Sequence, residues 1–143
     1  VEVGRAEGAT LVTGGARAGG GDLDRGYFFQ PTIFAGVKPG SRLEQEEIFG
    51  PVLVILPHDG DDDAIRIAND SPYGLSGAVW GTDRARINRV VDGVRTGTMS
   101  INGGIWYSAD VPFGGYKQSG IGREMGVAGF EEYLETKAIA EPA

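Results

Sequence analysis

Glu46 and Glu47 are adjacent carboxylates in the stretch EEIFGPV, which runs from Glu46 to Val52 and opens onto the apolar run VLVIL. Burying an unpaired carboxylate costs several kcal/mol, so one of these acids is expected to keep water or find a partner. An ionised carboxylate has two acceptor oxygens and can take both hydroxyls of a vicinal diol at once. Paired acids also serve glycoside hydrolysis, which needs two carboxyls about 5–10 Å apart facing one cleft. Neighbouring side chains point apart, so that chemistry is set aside. The plain alternative is a solvated acid at a helix end.

The other chemistry-bearing groups narrow the field by exclusion. With no cysteine in 143 residues, this stretch holds no disulfide, no Cys-ligated zinc and no thiol nucleophile. His58 is the single histidine. One imidazole supports neither a zinc site nor a Ser-His-Asp triad, and His58 reads as a surface residue. The DGDDD run from Asp59 to Asp63 lacks the alternating acids and distal Glu of a calcium loop. It reads as acids favoured by a helix N-terminus, and no metal site is expected.

GGYKQSGIGREMG invites a nucleotide-loop reading, since Gly120, Gly122 and Gly126 give G-x-G-x-x-x-G. That spacing is one residue longer than the dinucleotide fingerprint, and no βαβ unit with a downstream ribose-binding acid surrounds it. Lys117 does not stand where a P-loop lysine must. These glycines read as structural, letting the backbone pass close to its neighbours, with Arg123 and Glu124 tying down the next helix.

Composition sets the wider bounds. The chain is long enough for one domain that buries roughly 68% of its unfolded surface. Net charge is −7 and no stripe of Lys and Arg forms, which argues against nucleic acid and anionic membrane surfaces. No apolar run approaches the roughly 20 residues that span a bilayer, so the expected location is cytoplasmic. Glycine is the outlier, at 25 residues. Such a chain makes many tight turns or close backbone approaches. The opening VEVGRAEGATL has neither an initiator Met nor a helix cap, and implies a fragment that starts within an element.

The elements that must position these groups alternate in type. Val1 to Glu7 reads as the tail of a helix and Thr10 to Thr13 as a short strand, succeeded by an exposed loop from Gly14 to Gly26. Tyr27 to Val37 is aromatic and β-branched, with Pro31 placing it at an edge or a strand start. Ser41 and Glu44 fit a capping box. The run from Val52 to Leu56 predicts a strand covered on both faces. Asp61 to Asp63 open a helix, and SPYGLSGAVW supplies a turn and a strand ending near Trp80. Thr82 or Asp83 caps a helix whose Ile87, Val90, Val91 and Val94 share one face. Thr98 to Asn102 is a further strand, and the Gly-rich stretch from Gly103 to Gly122 is of a length usually reserved for function. A last helix, about Glu124 to Leu134, leads to an extended tail. Alternating strands and helices predict an α/β fold with parallel pairings.

Taken together, EGATLVTGG, GYFFQPTIF, QEEIFGPV, AIRIANDSPYGLSGAVW, GTMSIN, PFGGYKQSGIGRE and EEYLETK resemble the C-terminal part of an aldehyde dehydrogenase, in that family's order and spacing. The resemblance covers essentially the whole chain. It implies a mostly parallel sheet with flanking helices, in which residues 1–134 are the part of the catalytic domain after the nucleophilic cysteine. Residues 135–143 would then be the terminal strand of an oligomerisation element in a homo-oligomer. The dinucleotide-binding domain, the general-base glutamate and the cysteine would lie upstream.

The resemblance also assigns roles. Glu47 would accept hydrogen bonds from the nicotinamide ribose of NAD or NADP, and Phe49 would pack beside that end of the cofactor. Ile105, Trp106 and Phe113 would line the aldehyde pocket, with Tyr107 and Asp110 in the same wall. Apolar side chains there would hold the aldehyde's tail and exclude water from a thioester. The plain alternative is a loop folded onto its own core with aromatic plugs. In the complete enzyme a cysteine thiolate adds to the aldehyde, hydride passes to nicotinamide, and water activated by a glutamate releases the carboxylic acid. The 143-residue chain alone is expected to be inactive for want of nucleophile and base. A different reading makes it a non-catalytic module that oligomerises or binds other subunits.

Overall fold

The computed structural model describes residues 1–104 and 107–142. Two compact units divide the chain, Val1–Ser71 and Pro72–Ala143.

The first unit is built on a three-stranded sheet of β1 (Thr10–Thr13), β2 (Thr32–Ala35) and β3 (Val52–Ile55) in that order. β1 pairs antiparallel with β2, with a register shift between Leu11 and Thr13. β2 pairs parallel with β3, Phe34 lying opposite Val54. The parallel pair needs a crossover, which α2 (Arg42–Gln45) supplies. Pro31 sits immediately before β2, the position its missing N–H allows, and β2 is central, not an edge. Thr32, buried at the strand start, is satisfied on both sides: its hydroxyl donates to the Gln30 carbonyl and accepts from Gly15 N–H, each at 2.8 Å.

One face of this sheet makes the core. Phe34, Val37 and Leu43 are buried, with Val1, Ala9, Leu11, Val52, Val54 and Leu56 packed around them. Helix α1 (Glu2–Ala6) lays Gly4 against Phe34 and Leu43. The other face is uncovered: Leu53 is 57% and Ile55 48% exposed. The expectation of a strand covered on both faces is therefore corrected. An unbroken apolar run fixes what a strand is able to bury, while the neighbours present decide what it does bury.

A second correction concerns α2. Ser41 stands at its N-cap, yet the Ser41 hydroxyl is buried without a partner and the capping box does not form. Glu7, 35 residues upstream, takes over: its carboxylate accepts from Arg42 N–H at 2.8 Å and Leu43 N–H at 3.2 Å. Glu44 accepts from Gly40 N–H instead. The unit closes with α3 (Asp61–Asp70), whose acidic first turn lies inside the helix. There Asp63 accepts from Asp59 N–H and pairs with Arg66.

The second unit holds two small sheets. β4 (Tyr73–Gly74) pairs antiparallel with β7 (Tyr116–Lys117), and β5 (Ser76–Val79) pairs parallel with β6 (Thr98–Ile101). Helix α4 (Arg84–Gly93) makes the β5–β6 crossover. Asp83 is its cap, accepting from Ala85 and Arg86 N–H groups, and Ile87 is its buried anchor. Gly97, just before β6, runs against the Gly114 carbonyl so closely that a Cβ there would overlap the oxygen. Helix α5 (Gly126–Glu131) ends the regular structure, and residues 135–142 form no strand with any described residue.

The α/β class holds. Both parallel pairings join strands consecutive in the chain and have a helix in the crossover, as that direction requires, while the other two pairings are antiparallel.

Candidate functional site

The two adjacent acids part company. Arg42 and Glu46 lie four residues apart, and as α2 ends they close a two-point ion pair, Nε to Oε1 at 2.7 Å and Nη2 to Oε2 at 2.9 Å. This hydrogen-bonded arginine holds the Glu46 carboxyl below the usual carboxylate range, against a smaller opposing effect of lost solvation. The same pairing raises Arg42. Glu46 leaves the helix in extended backbone, so Glu47 faces elsewhere. Among the described residues Glu47 has neither a hydrogen bond nor an ion pair, and it is exposed.

Two residues on, Phe49 adopts φ 51°, a left-handed conformation that a bulky residue rarely takes. The residue is 93% exposed. Gly50 and Pro51 then turn the chain into β3, where the Pro51 carbonyl accepts from Thr32 N–H at 2.8 Å. The EEIFGPV stretch therefore presents one unpaired carboxylate and one bare aromatic ring, backed by an acid already neutralised by Arg42. Strained backbone that displays an apolar ring to solvent is a feature to be explained by function.

Phe113 belongs to the second unit. Its backbone makes a reciprocal bridge with Glu124, N–H to carbonyl in both directions at 2.7 Å. The Tyr107 ring meets it edge to face, centroids 5.1 Å apart at 72°. Phe113 borders a cavity of about 420 Å³ whose wall includes Leu75, Ile121, Arg123, Glu124 and Tyr133. Ile105 and Trp106 lie outside the described residues. Glu47 and Phe49 thus share one exposed turn of the first unit, while Phe113 lines a cavity formed within the second.

The glycine-rich stretch is structural, though Arg123 does not tie down the next helix. Its guanidinium donates to the Gly115 carbonyl at 3.1 Å and the Gly122 carbonyl at 2.6 Å, and lies over the Tyr116 ring at 5.3 Å. Gly114 lets the two limbs touch, since a Cβ there would meet Gly122 O at 2.8 Å. Among the described residues no three His, Asp or Glu side chains gather as a metal site, and no helix is long and apolar enough to cross a membrane. His58 is exposed, its Nδ1 3.0 Å from the Gly60 carbonyl.

Sequence reasoning missed three contacts. The Arg42–Glu46 pair was visible as an i, i+4 spacing. The cap from Glu7 carried no local signal at all. The third is Asn102, whose side chain both accepts from and donates to the backbone of Gly81.

Comparison with known proteins gives these positions a context. The model of the "Aldehyde dehydrogenase family" matches residues 1–139. The chain is 48% identical over 139 residues to betaine aldehyde dehydrogenase of Bacillus subtilis (strain 168), covering 97% of this chain and 28% of that protein. It is 50% identical over 139 residues to 3-succinoylsemialdehyde-pyridine dehydrogenase of a Pseudomonas species, covering 97% and 29%. Among solved structures, a betaine aldehyde dehydrogenase from Staphylococcus aureus in complex with NAD+ superposes with a TM-score of 0.92 at 47% identity, over 95% of this chain and 27% of that one. The chain therefore spans under a third of the length of the relatives it matches. With a family model matched along nearly its whole length and a shared fold, this chain belongs to the aldehyde dehydrogenase family.

Proposed function

We propose that these residues are the C-terminal portion of an NAD(P)-dependent aldehyde dehydrogenase that oxidises an aldehyde to a carboxylic acid. Glu47 holds the nicotinamide ribose through its two acceptor oxygens, and Phe49 packs beside the same end of the cofactor. Phe113, with Ile105 and Trp106, forms one wall of the aldehyde pocket. When bound, the nicotinamide supplies the hydride acceptor. This chain's residues bind, orient and exclude water, and contribute no nucleophile. Residues 1–134 are the catalytic-domain part, and residues 135–143 pair as a strand between subunits of a homo-oligomer in the cytoplasm.

The observation that carries this reading is the division of labour at Glu46 and Glu47. One acid is consumed by Arg42, and its neighbour keeps both oxygens free beside an exposed ring on strained backbone. An exposed acid with a structural task would be expected to have a partner, and this one has none among the described residues.

The test is a graft in which these residues replace the matching segment of the S. aureus betaine aldehyde dehydrogenase. Glu47→Gln is expected to raise the KM for the dinucleotide by about ten- to a hundredfold, as loss of a charged hydrogen bond worth roughly 1.5–3 kcal/mol implies. Glu46→Gln should leave that KM within about twofold, since its loss falls on Arg42. Equal responses from the two variants would sink the assignment.

A second reading, a non-catalytic oligomerisation or interaction module, draws on the exposed apolar side chains of the C-terminal stretch, Phe130, Tyr133, Leu134 and Ile139. Native mass spectrometry of the chain mixed with a full-length relative separates the two. A hetero-complex without any gain in turnover favours the module.

A further inference from the structure

Helix α2 is a single turn, and a helix of that length does not hold its place unaided. Its own bonds are few: Gln45 N–H donates to the Ser41 carbonyl and Glu46 N–H to the Arg42 carbonyl, each at 2.9 Å. What locates it comes from outside. Leu43 is buried in the core, so near Gly4 of α1 that a Cβ on that glycine would meet its Cδ2 at 2.9 Å. Glu7, half-buried where α1 ends, uses both carboxylate oxygens. Oε1 accepts from Arg42 N–H at 2.8 Å and Oε2 from Leu43 N–H at 3.2 Å.

The path from this clamp to the exposed turn is short. Arg42, whose amide Glu7 holds, supplies the carbonyl that accepts from Glu46 N–H, and Glu47 is the next residue. At its far end the turn is fixed by Thr32 N–H donating to the Pro51 carbonyl at 2.8 Å and Val52 N–H to the Gly50 carbonyl at 2.7 Å. Between the two ends Glu47 has no hydrogen bond or ion pair among the described residues, and Phe49 is exposed on left-handed backbone. Both residues therefore stand where the anchors put them. The far anchor is backbone alone, while the near one depends on a side chain 35 residues upstream of Arg42.

The Arg42–Glu46 side-chain pair spans the same turn of helix, but it is exposed, and such pairs contribute at most about 1 kcal/mol. Two helix amides with no partner inside the helix make the stronger demand. Ser41 does not meet it, since its hydroxyl forms no cap. In place of Glu7, Gln keeps one acceptor and sets an NH2 against the second amide. Ala leaves both amides without an acceptor.

We infer that Glu7 is a positioning residue for the Glu47–Phe49 turn, setting through its two bonds to α2 where that carboxylate and that ring stand. It touches no cofactor or substrate. The kinetic consequence rests on the proposed function, whereas the clamp itself does not.

The experiment has two arms. In the 143-residue chain, NMR follows Glu7→Gln and Glu7→Ala. The Arg42 and Leu43 amides are expected to exchange faster, and the Glu47 and Phe49 amide resonances to shift. In the full-length graft, KM for the dinucleotide is expected to rise about fivefold in Glu7→Ala and about twofold in Glu7→Gln, with KM for the aldehyde unchanged within about 1.5-fold. Leu11→Ala, which removes core packing from β1, serves as the stability control. It should lower the melting temperature and leave the dinucleotide KM within about 1.5-fold.

Unmoved Glu47 and Phe49 resonances in both Glu7 variants would overturn the inference. So would a dinucleotide KM that ignores Glu7 while responding to Glu47→Gln. A rise in Leu11→Ala equal to that in Glu7→Ala would also overturn it, marking loss of stability alone. Should Glu7→Ala not fold, Glu7→Gln decides by the same readings. Failure of the Glu47 test, with the Glu7 variants behaving as expected by NMR, would sink the functional reading and leave the clamp standing.

Discussion

Gly97 shows how little room a single position has. Its α-carbon faces the Gly114 carbonyl so closely that one added methyl collides with the oxygen. Backbone cannot yield as a flexible side chain does, so Gly97→Ala is expected to cost at least about 1–3 kcal/mol, read as a lowered midpoint in urea. Gly8→Ala makes a useful contrast. No atom lies within 4 Å of its added Cβ, and only its φ of 82° opposes the change. At this scale the sequence was legible where a residue's neighbours are local. The two acids were seen, and their separate fates come from an arginine four residues back. Phe49's left-handed backbone was not legible, because nothing in the letters IFGP reports a φ angle.

Among the elements, α2 offers the sharpest contrast between expectation and structure. Its sequence advertises a Ser41–Glu44 capping box, yet the amides of Arg42 and Leu43 are satisfied by Glu7 from α1's end. Glu7→Ala is therefore expected to destabilise the first unit by about 1 kcal/mol, the usual worth of a cap, with a Tm lowered by a few degrees. Ser41→Ala should cost under about 0.5 kcal/mol, since the hydroxyl holds nothing. The reverse ranking would show that the box forms in solution. Element type and order were largely legible: alternation of strand and helix, the Asp83 cap and the Ile87 anchor all come from periodicity and capping rules. Pairing direction for β1 and the long-range cap were not, because both depend on residues distant in sequence that only folding brings together.

For the molecule as a whole, acid should weaken the fold through carboxylates held in charged form. Arg42 lowers Glu46, while the Asp59 N–H first and Arg66 second lower Asp63. A carboxyl whose folded value is depressed contributes fully above its unfolded value of about 4 and loses that contribution as pH falls through the folded value. Melting temperature is therefore expected to fall as pH drops below about 4. The slope should be shallower in Arg42→Gln, whose Glu46 no longer has a partner to lose. A second expectation at this scale concerns turnover. The isolated 143 residues contain no thiol, so NADH production from aldehyde should stay at background in a spectrophotometric assay. Activity above background would refute the proposed dependence on upstream residues.

Strand β3 finally offers a diagnostic of its own. Val52 and Val54 look into the core, while Leu53 and Ile55 look out. A library of lysine replacements in the short chain should accept 53 and 55 and reject 52 and 54, an odd–even tolerance pattern readable by sequencing soluble survivors. Run in a longer aldehyde dehydrogenase carrying this segment, the same library would report on the outward row. Rejection there too would mean that another part of the protein has closed over it, and the contrast between the two libraries would map that covering without a second structure.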